Sequence, residues 1–371
     1  MTIIRSSLVR LGAAAILLSW FGATSASAQT ARTVEDLRGR RVTLGGPATR
    51  LLIDDGRYLI ALALMHPNPG SLVAAWPHYT NRLGQQAHQQ LKARHPSLDT
   101  LPKVASSAGT FSLEGALAAR PDVAVFTLGH GPTDTQLQQL ESAGVKVVFI
   151  DFFTQPLANL ERSLQVLGTI VGREAQAEAF VTYRRTRMAR IRDRVAASKA
   201  ARPKVFVEAH AGMSAECCNS LGKGNVGAYI TFVGGHNIGA DVIPGAFGRL
   251  NVEYVLAQNP AVYIATGGPH LEKTGGLVVG PGYSLERARA SLVGVTKRPV
   301  LSQLGAVRNG RVYGLSHQLL NSPLDLIAVE ALASWIRPDL FADTDPSATL
   351  AEINRRFMAF PLEGLYWVPL R

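Results

Sequence analysis

One stretch of this chain occurs twice, and a chain that repeats a strand-helix unit is constrained to fold as two equivalent halves. Ser112-Leu113-Glu114-Gly115-Ala116-Leu117-Ala118-Ala119-Arg120-Pro121-Asp122-Val123 is answered by Asn251-Val252-Glu253-Tyr254-Val255-Leu256-Ala257-Gln258-Asn259-Pro260-Ala261-Val262. Each copy has a helix-capping residue, a glutamate two places later, a two-turn apolar segment, and a proline seven residues after the glutamate, just before a short strand. Glu114 and Glu253 therefore fall in the first turn of a helix. There an acid complements the helix dipole by about 0.3–1 kcal/mol. Two such carboxylates at equivalent places also offer a two-point dock for basic residues of a partner.

Strand and helix signals alternate around both copies. Asp36 to Thr43 turns about Gly39 and leads to Gly45-Gly46-Pro47, a β-hairpin ahead of a buried strand at Leu51-Leu52-Ile53. A helix over Leu59 to Met65, a strand over Val123 to Phe126, a helix over Gln136 to Ala143 and a strand over Val145 to Ile150 complete the first unit. A helical segment then runs from Pro156 to Ala201, interrupted at Gly168 and Gly172. Its packing stripe carries Ala179, Phe180, Tyr183, Ile191 and Val195, and its water-facing side carries Arg184, Arg185, Arg187, Arg192 and Arg194. Beyond Pro203 the alternation restarts with Val205 to Val207, a glycine-rich loop, a helix over Ala228 to Val233, and strands at Val262 to Ile264 and Val312-Tyr313. Helices over Leu324 to Ile336 and Leu350 to Met358 close the chain. This predicts an α/β fold of two three-layer α/β lobes joined by a single long α-helix, with a ligand cleft between the lobes. The expected boundaries are 32–170 for the first lobe, 171–201 for the linker helix and 202–371 for the second lobe.

Residues 1–28 read as an export signal: Arg5 and Arg10 are followed by the apolar run Leu11 to Phe21 and the small-residue site Ala26-Ser27-Ala28. No cysteine near that site accepts a lipid, so the expected location is the periplasm, without a lipid anchor. Cleavage leaves 343 of 371 residues, more than one core usually serves. The formal charge of +11 falls to +9 with Arg5 and Arg10 gone, and much of the rest clusters between Arg184 and Arg202. That excess suits an anionic ligand, or is a solvated helix face; the aromatic interleaving of a nucleic-acid surface is missing. The two cysteines, Cys217 and Cys218, are adjacent, so no disulfide staples distant parts of the fold. They read either as a vicinal disulfide or as two free thiols.

The mature chain resembles the metal-chelate branch of the periplasmic binding proteins, which serves ferric siderophores, haem and cobalamin. The resemblance rests on the paired repeat, on the hairpin with Gly39-Arg40-Arg41-Val42, on Pro121-Asp122 before its strand, and on Gly234-Gly235-His236-Asn237-Ile238-Gly239-Ala240-Asp241, similar to the family's Gly-Gly-x-Asn turn. Ala261 departs from the aspartate usual after the second proline. The resemblance implies a monomer that captures a small-molecule metal chelate between its lobes. It then docks on an ABC permease in the inner membrane through Glu114 and Glu253. It implies no chemistry and no cofactor of its own, the ligand being a ferric siderophore first and a haem, cobalamin or nickel or cobalt chelate second.

Ligands of α/β sheets lie beyond the carboxyl ends of the strands. The loops there offer Arg57, Tyr58, Trp76, His78, Tyr79, the stretch Ser106-Ser107-Ala108-Gly109, and His130 from the first half, and His210, Arg249, His270 and His317 from the second. Aromatic walls and basic groups suit the organic body and the charge of an anionic chelate. His317, entering the turn Asn321-Ser322-Pro323, is the expected axial ligand of a metal with an open position. Three other signals are set aside. Gly222-Lys223-Gly224-Asn225-Val226-Gly227 fits the dinucleotide fingerprint, but the polar, cysteine-containing residues before it do not read as a buried strand. The nine histidines show no H-E-x-x-H spacing, and Ser316-His317 sits in no G-x-S-x-G elbow, so a periplasmic metal-dependent enzyme is not the reading.

Overall fold

The computed structural model describes residues 31–371 except 106 and 108, together with Thr2. The export signal, Ser106 and Ala108 lie outside the described residues. A two-stranded hairpin, β1 (Arg32–Glu35) and β2 (Arg41–Leu44), opens the fold, its turn held by the Asp36 carboxylate. That carboxylate accepts the backbone N–H groups of Arg38, Arg40 and Phe149, which ties the hairpin to the first sheet.

That sheet is wholly parallel, in the order β4-β3-β5-β6, from β3 (Leu51–Ile53), β4 (Val73–Ala75), β5 (Val123–Thr127) and β6 (Lys146–Ile150). Its strands are continuous apolar runs, as a sheet covered on both faces requires. The second sheet is mixed. β7 (Lys204–Glu208), β8 (Asn219–Leu221), β9 (His236–Asn237), β10 (Phe247–Arg249), β11 (Val262–Gly267), β12 (Val312–Ser316) and β13 (Trp367–Pro369) run in the order β10-β8-β7-β11-β12-β13, with β9 beside β7. β7, β11 and β12 are parallel, as the βα alternation predicts. β8, β10 and β13 join antiparallel, and their short polar or terminal sequences carry no strand period.

Between the sheets the chain runs through one helix, Pro156–Ile170, a break at Val171-Gly172-Arg173, and a second helix, Glu174–Ala197. Gly172 takes φ +67 at the break, a conformation that suits glycine. Gly168 interrupts nothing, contrary to expectation: it lies inside the first helix, where a Cβ would come within 2.5 Å of the Ala177 side chain. The packing stripe of the second helix is also corrected. Ala179 is exposed, and the buried face is Ala177, Phe180, Val181, Arg184, Met188 and Ile191.

Arg184 was assigned to water, yet it is only 2% exposed. It donates to both Asp325 carboxylate oxygens at 2.9 and 2.7 Å, and Tyr229 donates to Asp325 at 2.8 Å. Arg187 pairs with Glu330, and Arg190 and Arg194 with Asp343. The basic helix face is thus matched by acids of the segment between β12 and β13. The core reflects the same joint. Each sheet has its own outer apolar layer, but its linker-facing layer merges with that of the other, from Leu51 through Phe180 to Ile327.

Candidate ligand-binding site

The carboxyl ends of both sheets open on one cleft of about 600 Å³. On the first sheet's side, β3 delivers Asp55 and Arg57, β5 delivers Thr127 and His130, and β6 delivers Phe153. On the second sheet's side, β7 delivers His210, β11 delivers Gly267, Gly268 and His270, and β12 delivers His317, Gln318 and Asn321, while Phe247 arrives on β10. Phe153 and Phe247 meet across the gap with ring centroids 6.0 Å apart and planes inclined by 26°. The Asn225 backbone N–H reaches the Thr154 carbonyl at 3.2 Å beside them.

Three imidazoles cluster on the second wall. His210 Nδ1 and His270 Nε2 are 2.9 Å apart in a hydrogen bond, and the His210 ring lies 4.1 Å from that of His317. Thr266 sits beneath them: its hydroxyl oxygen accepts the His210 backbone N–H at 3.1 Å and lies 3.3 Å from His317 Nδ1. Burial pushes His210 down to about 4, helped by His270, and burial lowers His270 as well. Both shifts favour the neutral imidazole, the state in which its nitrogen ligates a metal. Among the described residues, no three His, Cys, Asp or Glu side chains are placed to hold a bare ion.

The opposite wall carries a compensated charge. Arg57 donates to Asp55 through Nε at 3.0 Å and Nη2 at 2.7 Å. Burial works against the Arg57 charge, and the adjacent Asp55 more than offsets it. Behind them Asp54 is fully buried and accepts the Thr127 N–H at 2.8 Å and the Thr127 hydroxyl at 3.0 Å. Burial lifts its carboxyl to about 7. His210 and Asn321 hold φ of +51 and +57, conformations costing on the order of 1 kcal/mol or more each for a non-glycine residue and concentrated at binding sites. Asn321 is buried, and its Oδ1 has no hydrogen-bond partner among the described residues.

Of the residues singled out in the sequence, Arg57, His130, His210, His270 and His317 line the cleft. Tyr58 does not: it is buried behind the wall, with its hydroxyl 2.7 Å from Thr127. Trp76 is fully buried, donating to the Leu98 carbonyl at 2.9 Å and stacked on His78. His78 and Tyr79 lie with it, off the cleft wall. Arg249 is not among the lining residues; it is ion-paired with Glu216 and donates to the Cys217 carbonyl at 3.1 Å. Cys217 and Cys218 are buried, joined sulfur to sulfur across a cis peptide, one strand away from Phe247. Phe153, Thr127 and Thr266 were missed, and Asn321 was placed only in the turn that His317 enters. For the two threonines a signal existed, since each stands four residues past the end of its copy of the repeat.

Both repeat glutamates are exposed. Ser112 caps the Gly115 N–H and Asn251 the Tyr254 N–H, so each carboxylate sits in a capped first turn, one per sheet. The periplasmic binding protein family matches residues 60–319 of the chain. The chain belongs to that family. The fold of this periplasmic binding protein is that of the TroA-like periplasmic binding protein FepB from Veillonella parvula, with a TM-score of 0.82, 27% identity, and coverage of 91% of this chain and 99% of that one. CeuE of Helicobacter pylori in a nickel-histidine complex shares the fold alone, with a TM-score of 0.64, 14% identity, and coverage of 90% and 97%. A cobalamin-binding protein of Halobacterium salinarum is 29% identical over 185 residues, 49% of this chain and 48% of that protein. The chain spans about half the length of the curated relatives it matches. No helix among the described residues is long and apolar enough to cross a membrane.

Proposed function

We propose that this chain is the periplasmic solute-binding component of an ABC importer for a metal chelate, namely a ferric siderophore whose donors leave coordination positions open. The observation that carries the reading is the cluster of His210, His270 and His317 on the cleft wall. A chelate that saturates its metal has no use for neutral imidazoles; one that leaves positions open gains a bond from them. The aromatic pair Phe153 and Phe247 supplies apolar surface for the organic body. Export through residues 1–28, a linker over 171–201 and docking through Glu114 and Glu253 complete the proposal, in which the protein captures, docks and releases without chemistry. The exposure of both carboxylates in matching capped turns supports that docking.

A second reading, a cobalamin or haem carrier using one imidazole as axial ligand, is favoured by the cobalamin-binding relative. Calorimetric titration separates the two. Binding of a ferric bis-hydroxamate, lost in His270→Ala and His317→Ala and not matched by haem or cyanocobalamin, is the expected result. Tight binding of haem or cyanocobalamin alone would move the assignment to the second reading, and hydrolysis of an ester or phosphate would remove both.

A further inference from the structure

We infer that the cleft selects metal chelates whose organic body carries a flat aromatic ring, which stacks on Phe153 and Phe247. This rests on the metal-chelate reading above and narrows its substrate class. Six of the fourteen described lining residues end in a ring, the four histidines and the two phenylalanines, and none of the fourteen is leucine, isoleucine, valine, methionine or alanine. The apolar surface that a ligand meets therefore comes chiefly from the faces and edges of rings. Gly267 and Gly268 add backbone without side chains to the second wall. Phe247 is 42% exposed, one of few large apolar side chains so placed among the described residues, and a ligand that covers its ring is stabilised by that burial.

Backbone contacts fix where both phenylalanines stand. The buried Asp151 carboxylate accepts the N–H groups of Phe153, Thr154 and Gln155 at 2.9, 2.6 and 3.0 Å. From the other half, Asn225 of the glycine-rich stretch Gly222 to Gly227 donates its side-chain amide to the Phe153 carbonyl and its backbone N–H to that of Thr154. Phe247 pairs with Leu221 of β8 and precedes Gly248, where a Cβ would come within 3.0 Å of the Ile243 side chain. The two rings thus hold centroids 6.0 Å apart and planes 26° from parallel, and the His130 ring stands perpendicular to that of Phe153 at 5.2 Å. This is the offset spacing that aromatic rings prefer, so a third ring extends the stack and gains more than the area it buries. A saturated ring of the same size gains the area alone. Because the backbone already places the protein rings, little freedom is lost when they are covered.

The test uses two ferric bis-hydroxamates with arms of equal length, joined through a benzene ring in one and a cyclohexane ring in the other. Both carry the same donors, the same charge and the same open coordination positions. Cyclohexane is at least as apolar as benzene, so a preference for the benzene chelate isolates the ring-ring contact. Calorimetry on the full mature chain should show the benzene chelate binding ~5-fold tighter, about 1 kcal/mol. The Phe153→Leu, Phe247→Leu double variant keeps apolar side chains and the backbone contacts of the Phe153 loop, and should bring the two affinities within ~2-fold of each other. The gallium complex of the benzene chelate, free of paramagnetic broadening, should show nuclear Overhauser contacts from its linker ring protons to the Phe153 and Phe247 ring protons. Equal affinities in the parent chain, or tighter binding of the cyclohexane chelate, would overturn the inference while leaving the metal-chelate reading intact. So would a benzene preference undiminished in the double variant, or the absence of those Overhauser contacts. Failure of both chelates to bind would instead overturn the parent reading. The parent-chain comparison and the Overhauser contacts stand even if the double variant does not fold.

Discussion

Thr266 does more for the site than its size suggests. Its hydroxyl carries the His210 backbone amide and faces His317 Nδ1, so it fixes the direction of two imidazoles at once. Thr266→Val keeps the shape and removes both contacts, which should weaken binding of a ferric bis-hydroxamate by ~10-fold or more, in line with about 1–3 kcal/mol for an orphaned buried donor. Thr266→Ser should restore it, and an equal loss in both variants, read by calorimetry, would contradict the positioning role. Asp54 gives a second prediction. Its folded value of about 7 lies above the ordinary 3.8 because burial disfavours the carboxylate. The folded state therefore holds this proton more tightly than the unfolded chain. Its stabilising contribution is full below the unfolded value and is lost as pH rises through about 7, by up to ~4 kcal/mol. Asp54→Asn should flatten the decline in denaturation midpoint between about pH 4 and pH 7; matching slopes in variant and parent would contradict this. At this scale the sequence was readable where a rule links residue type to place. His130, His210, His270 and His317, each after a strand end, reached the cleft, but His78, Trp76 and Tyr58 did not, because an aromatic ring is as suited to a core as to a ligand wall. Phe153 carried no local signal, its role arising from the meeting of two distant loops.

Among the elements, the linker helix Glu174–Ala197 shows where periodicity misleads. Its arginines read as solvent-facing because a charge is usually placed in water, yet Arg184 is among the largest fully buried side chains. Only the partner, Asp325, some 141 residues away, explains it, and a pairing at that distance cannot be seen in a window of sequence. Asp325→Ala strands the Arg184 cation in the core and should destabilise the fold by about 3–5 kcal/mol, measured as denaturant unfolding. Replacing both Arg184 and Asp325 with apolar residues of similar volume should recover most of that loss. A single variant as stable as the parent would show that the pair does not hold the helix. The repeated capped turns, by contrast, were legible from first principles, since Ser112 and Asn251 cap as their positions imply. The added strands β8, β10 and β13 were not, because strands of three residues have too few positions to show a period.

The molecule as a whole consists of two sheets whose outer layers are separate and whose linker-facing layers are continuous. The paired repeat made the two halves visible in the sequence; the fusion of their cores required the three-dimensional placement of the long helices. In the proposed capture the lobes move little relative to one another, a reading supported by the continuous apolar layer that joins them on one side. Glu114 and Glu253 lie one on each half, so reversing either charge should abolish uptake in cells carrying the permease while leaving ligand affinity unchanged. Loss of affinity in the purified Glu114→Lys or Glu253→Lys variant would place these acids elsewhere in the mechanism. In the proposed function, protein imidazoles complete the coordination of a chelated metal in the cleft. The X-ray absorption spectrum of the chain loaded with ferric bis-hydroxamate tests it most directly. The account predicts new outer-shell scattering from imidazole rings that disappears in the His270→Ala, His317→Ala double variant, and a spectrum identical to that of the free chelate in water would contradict it.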